Sequence, residues 1–204
     1  MTTKTIVHVI RHGEVHNPDK VLYGRLPDFH LSDTGRVQAQ RVADWLAGRD
    51  IVYVVASPLE RAQETAGPIA ATHGLAIDTD GDLIESENVF EGERVAPGDG
   101  ALRNPRNWWH LRNPRRPSWG EPYEHVAARM QAALYRARAK GVGHEAVCVS
   151  HQLPVETLRR SLTGKPLHHL PTPNSRMCNL ASVTSFYFHD DEMVGWGYAE
   201  LVGQ

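Results

Sequence analysis

Three short runs of β-branched and apolar residues punctuate the chain: Thr5 to Ile10, Ile51 to Ala56 and Ala146 to Ser150. Continuous rather than alternating, they read as strands buried on both faces, the pattern of a parallel sheet. Between them the apolar spacing changes. Val126, Met130, Ala133, Leu134 and Ala137 place one stripe along a helix near Pro122 to Lys140, and Ala39, Val42, Ala43 and Leu46 do the same for an earlier helix. Strands alternating with helices require right-handed crossovers, so the expected class is α/β with a mostly parallel sheet flanked by helices. Leu180 to Phe188 and Met193 to Leu201 read as two further strands around the polar turn His189 to Glu192.

Residues 88–120 break this rhythm and read as an insertion. From Val95 to Pro117 several Pro and Gly residues accompany Trp108, Trp109 and five Arg, and no acidic residue occurs from Gly100 to Gly120. A partly helical segment lying over one end of the sheet is expected. Its Trp rings would pack it onto the sheet, or it would serve as a lid facing the substrate. The interleaving of Arg103, Arg106, Arg112, Arg115 and Arg116 with Trp also raises single-stranded nucleic acid as a ligand, a reading that ranks below the other two.

Length and composition narrow the class. The 204 residues suffice for one sizeable core, so a single domain over 1–204 is expected. A net charge of −2 argues against a surface devoted to nucleic acid or acidic membrane, so any basic site must be local. Neither a bilayer-length apolar run nor a leader pattern is present, and the expectation is a cytoplasmic protein without membrane partners. Cys148 and Cys178 are expected to be unpaired thiols, and the His residues lack metal-site spacing. Oligomeric state leaves no mark in the pattern, and a homodimer stays open.

Chemistry enters where the strands end. After Ile10 comes Arg11-His12-Gly13-Glu14, after Ala56 comes Ser57-Pro58-Leu59-Glu60-Arg61, and Ser150 is followed by His151. Ligands of open parallel sheets bind outside the carboxyl ends of strands, so two His and two Arg are expected to converge on one pocket. One His after a strand is ordinarily structural. Four such groups at three strand ends are not, because unpaired buried charge is expensive. Arg forks hold a dianion through charge-assisted hydrogen bonds, and a neutral imidazole can attack phosphorus in line with its leaving oxygen. Gly13 would let the backbone approach the ligand, and Ser57 with Glu60 would form a capping box on a helix whose N-terminus attracts the anion.

These segments, in this order, resemble the histidine phosphatase superfamily, also called phosphoglycerate mutase-like. Arg11-His12-Gly13 resembles its signature, and Gly24, Asp28, Leu31, Ser32, Gly35, Gln38 and Ala39 the stretch that follows. Ser57-Pro58-Leu59 with Arg61-Ala62 and Glu64-Thr65 is similar to its second motif, Leu83-Ile84-Glu85 to the proton-donor segment, and Val149-Ser150-His151 to the second-histidine motif. The resemblance implies a three-layer sandwich with the insertion over the active site, and a metal- and cofactor-independent phosphomonoesterase for a small anionic metabolite. It implies His12 as nucleophile, Glu85 as proton donor, and Arg11, Arg61 and His151 as phosphate ligands. Asn17, Tyr23, Gly24, Arg25, Gln152, Trp108 and Trp109 are candidate substrate contacts. Two departures stand out: Asn17 lies five residues after the nucleophile where the family often has Asn at six, and Gln152 replaces a usual Gly. Glu87, Glu91 and Glu93 compete with Glu85 for the acid role. A phosphoglycerate mutase and a phospholigand-binding module without turnover are the alternative functions.

Overall fold

The structure, a computed structural model, describes residues 3–95, 105–111, 120–168 and 178–201. Strands β1 (Lys4–Arg11), β2 (Ile51–Ala56), β3 (Ile77–Thr79), β4 (Glu145–Ser150), β5 (Val183–His189) and β6 (Glu192–Ala199) form one sheet in the order β3-β2-β4-β1-β5-β6. Neighbours from β3 to β1 are parallel, and β5 and β6 join antiparallel. The expected parallel core therefore carries an antiparallel hairpin at one edge. Its turn is tighter than the pattern suggested, because His189 and Glu192 pair across it.

Helices α1 (Asp33–Leu46) and α2 (Glu60–His73) cover one face, and α3 (Tyr123–Lys140) and α4 (Gln152–Leu162) the other. The period-2 alternation of each strand divides its side chains between two cores. Val7, Val9, Ala146, Cys148, Phe186 and Phe188 meet Val126, Met130 and Leu134 of α3 and Val155 and Leu158 of α4. Ile10, Val54, Ala56, Val147 and Val149 meet Val42 and Leu46 of α1 and Ala62, Ala66 and Ile69 of α2. These are the three layers of an α/β sandwich. Cys148 and Cys178 are buried free thiols, and among the described residues no helix is long and apolar enough to cross a membrane.

Two expectations are corrected. The capping box of Ser57 and Glu60 does not form: α2 starts at Glu60 with Leu59 as its uncapped N-cap, and the Ser57 hydroxyl is instead drawn to His151. Packing also requires Gly13, since a Cβ there would sit 2.7 Å from the Gly35 carbonyl oxygen. Trp108 and Trp109, on the 3-10 helix Pro105–Leu111, are 61% and 69% exposed instead of packed onto the sheet. The insertion's neck is closed by an antiparallel bridge between Asn88 and Gly120, while Arg103, Arg112, Arg115 and Arg116 lie outside the described residues.

Candidate active site

The sheet continues as hydrogen bonds beyond its strands, and this brings distant residues side by side. His12 N–H donates to the Ser150 carbonyl at 3.0 Å and Ser57 N–H to the Val149 carbonyl at 2.9 Å. Loop residues after β1, β2 and β4 are thereby held at one edge. The Ser150 hydroxyl donates to the Leu83 carbonyl at 2.6 Å, drawing the Leu83-Ile84-Glu85 segment to the same place. Gly13 N–H donates to Thr65 Oγ1, whose own hydroxyl donates to the Arg61 carbonyl, so α2 is tied to the loop that carries His12.

His12 is buried, and its Nδ1–H can only donate to the Gly13 carbonyl, 2.7 Å away. Nε2 is left with its lone pair. Burial holds the ring's pKa well below the ordinary 6.5, and the Arg11 and Arg61 charges add to that effect. His12 is consequently a neutral, oriented base at neutral pH.

His151, with its ring 5.1 Å from that of His12, is also buried and kept neutral, first by desolvation and then by His12 and the surrounding Arg charges. Its Nε2 lies 2.7 Å from Ser57 Oγ. That hydroxyl already receives the Leu59 N–H at 3.4 Å, and Nε2 is the acceptor available for its own proton. With Ser57 assigned as the donor, the ring proton is on Nδ1, which is buried and has no hydrogen-bond partner among the described residues.

The cations share that condition. Arg61 is fully buried and donates from Nη2 to the Gly24 carbonyl at 2.5 Å, while its Nε and Nη1 have no partner among the described residues. Arg11 donates from Nη1 to the Cys178 carbonyl at 2.8 Å, and its Nε is likewise unpartnered. Buried donors are normally satisfied, so several around one imidazole describe a receptor for an anion. Tyr23 closes the cluster: its ring lies 6.3 Å from His12 and 4.8 Å below the Arg61 guanidinium carbon. Gly24 takes a positive φ of 40°, which turns its carbonyl to Arg61.

Among the four competing carboxylates, Glu85 is acted on by both Arg61 and Arg11, while Glu91 also feels Arg61. Burial pushes the Glu85 pKa above the ordinary 4.5, outweighing the Ser86 hydrogen bonds and the attraction of Arg61 and Arg11. Glu91 accepts from the Arg25 backbone and Glu87 pairs with the Arg25 side chain. Arg11, His12, Arg61, Glu85 and His151 are thus brought together.

The remaining candidates are placed differently. Asn17 closes its own turn, bonding Val21 N–H and carbonyl. Arg25 spends Nε, Nη1 and Nη2 on the Glu85 carbonyl, Glu87 and Glu121, a bracing arrangement rather than a free fork. Gln152 opens α4 directly after His151. Sequence reasoning missed Ser57 as the partner of His151, and also Glu121 and Arg129. The signal for Ser57 was its position one residue past β2, matching that of His151 past β4.

The family model described as Histidine phosphatase superfamily (branch 1) matches residues 7–197. The chain is 64% identical over 200 residues to the uncharacterized protein Rv0525 of Mycobacterium tuberculosis, covering 98% of each. It is 30% identical over 205 residues to the probable phosphoglycerate mutase GpmB of Photorhabdus laumondii, covering 97% of this chain and 92% of the other. Among solved structures, the mycobacterial glucosyl-3-phosphoglycerate phosphatase Rv2419c is 26% identical with a TM-score of 0.69, covering 96% and 97% of the two chains. The agreement runs from β1 into β6, through the segments that carry both imidazoles and both guanidinium groups, and on these grounds the chain belongs to the histidine phosphatase superfamily.

Proposed function

We propose that the protein is a phosphomonoester hydrolase that works through a phosphohistidine at His12, on a small anionic metabolite. The observation that carries the reading is the neutral His12 ring, with Nδ1–H fixed to the Gly13 carbonyl, beside unpartnered donors of Arg11, Arg61 and His151. The donors match the non-bridging oxygens of a phosphoryl group, whose charge they offset as it reorganises.

In the first step His12 Nε2 forms a bond to phosphorus while the bond from phosphorus to the leaving oxygen breaks. Glu85, its pKa raised by burial, gives its proton to that oxygen. In the second, the ionised Glu85 takes a proton from water as the water oxygen attacks phosphorus. The N–P bond breaks, releasing inorganic phosphate and restoring neutral His12. The 64% relative names no substrate. A phosphatase of glucosyl-3-phosphoglycerate and a probable phosphoglycerate mutase among the similar proteins favour phosphorylated glyceric acid derivatives as the substrates to try first.

Phosphate release from a metabolite series in the presence of EDTA, with His12→Ala as the blank, tests the reading. Wild type is expected to accumulate an acid-labile phosphoryl label on His12 during turnover. Unchanged hydrolysis by His12→Ala would sink it. The similarity to GpmB sustains a second reading, transfer of the phosphoryl group back to substrate. Conversion of 3- to 2-phosphoglycerate that depends on bisphosphoglycerate priming and exceeds phosphate release would favour it.

A further inference from the structure

Four successive carbonyls lead to the Glu85 side chain, and all four are held by side chains from elsewhere. Arg129 Nη1 donates to those of Asp82 and Ile84, each at 2.6 Å. The Ser150 hydroxyl takes that of Leu83 at 2.6 Å, and Arg25 Nε takes that of Glu85 at 2.6 Å. A loop rarely receives such dense side-chain support, since most side-chain hydrogen bonds are scattered and solvent-facing.

The two Arg side chains are themselves organised by one residue. Glu121 accepts the Arg129 fork on both oxygens, from Nε and Nη2 at 2.9 Å, and its Oε2 also accepts Arg25 Nη2 at 3.0 Å. Its side chain is 14% exposed and that of Arg129 13%, so the bidentate pair is shielded and stronger than a surface ion pair. Glu121 stands at the neck of the insertion, where its backbone N–H donates to the Glu87 carbonyl at 3.2 Å.

We propose that Glu121 is a positioning residue for the general acid: through Arg25 and Arg129 it fixes the 82–85 main chain, and so the point from which Glu85 delivers its proton. This rests on Glu85 as the proton donor. The role is needed because Glu85 follows a 3-10 turn, Gly81–Leu83, and is in neither a strand nor a helix whose ladder would fix it. A misplaced acid loses most of its effect, since proton transfer demands hydrogen-bond contact with the leaving oxygen. The same network absorbs Arg25.

The test uses leaving groups that differ in their need for a proton. p-Nitrophenyl phosphate expels a stable anion, whereas glycerol phosphate expels an alkoxide that must be protonated. kcat/KM of Glu121→Gln, Arg25→Gln and Glu85→Gln is measured on both, with thermal melting as the check on folding. Gln keeps the shape of Glu121 but cannot accept on both terminal atoms. We expect Glu121→Gln and Arg25→Gln to lose about ten-fold more on glycerol phosphate than on p-nitrophenyl phosphate, in the direction of Glu85→Gln. Equal losses on the two substrates, with Glu85→Gln still selective, overturn the positioning role alone. If Glu85→Gln shows no selectivity, the proton-donor reading falls and this inference with it. Should Glu121→Gln fail to fold, Arg25→Gln, which cuts the arm to the Glu85 carbonyl and leaves the fork intact, decides the matter by the same comparison.

Discussion

At the scale of single residues, two adjacent imidazoles that both resist protonation set the acid limit of the chemistry. The His12 pKa lies well below 6.5 and that of Glu85 above 4.5, shifts in the directions that the proposed pairing of a neutral base with a protonated acid requires. kcat/KM for an alkyl phosphate should hold as pH falls through 6.5 and decline as it rises through the Glu85 pKa. Glu85→Gln should remove the alkaline decline, which a pH–rate series on both enzymes checks. Ser57 admits a second prediction. Ser57→Ala leaves His151 Nε2 buried without its donor, at a cost of about 1–3 kcal/mol, and frees the ring proton to leave Nδ1. Activity should drop by about ten-fold or more, and 15N NMR of the His151 ring should report the altered tautomer. Position 57 was readable as a site position, but its task was not: a Ser immediately ahead of an expected helix start looks like a cap until His151 is seen across from it.

Among elements, α1 shows how a helix end positions a loop it does not contain. Ser32 caps it by accepting the Gly35 N–H at 3.0 Å, while its hydroxyl donates to Glu14 at 2.6 Å. Gly35 and Gly13 then pack backbone to backbone, and a Cβ on Gly35 would lie 2.0 Å from the Glu14 carbonyl oxygen. Gly35→Ala must push the His12-Gly13-Glu14 turn away. We expect a stability loss of about 2 kcal/mol or more together with a fall in kcat, measured by urea unfolding and steady-state rates. Elements were legible in proportion to their burial. β1, β2 and β4 are continuous apolar runs because both faces are covered, and α1 and α3 show their stripes because one face is. β3 is three residues long and half-exposed, too short for any period to register. α4 was hidden by Pro154 in its first turn and by Glu156, Arg159 and Arg160, whose single carboxylate pairs with both guanidinium groups on the shielded side of the helix.

For the whole molecule, the convergence of three strand ends was foreseeable because parallel strands put their carboxyl ends on one edge. The brace of Arg25, Glu121 and Arg129 was not, since it joins side chains to main-chain carbonyls tens of residues away and leaves no spacing to read. The buried rings also govern acid tolerance. His12 and His151 have depressed folded pKa values, so the unfolded chain takes up protons below about pH 6.5 that the native one refuses. Their contribution is present above that pH and is lost on acidification, by about 1.4 kcal/mol per pH unit for each ring. Glu85, with a raised folded pKa, acts oppositely between 4.5 and that pKa, and a single carboxyl offsets at most one of the two rings there. The urea midpoint should therefore fall between pH 6.5 and 4.5, and a His12→Gln, His151→Gln variant should fall less.

Arg11 Nε, Arg61 Nε and Nη1, and His151 Nδ1 cannot distinguish an ester from the orthophosphate it yields, since both present the same oxygens. In the proposed hydrolase, orthophosphate would therefore compete with the ester for the same donors. Output would be throttled by the cell's free orthophosphate, and the reaction would run fastest where that ion is scarce.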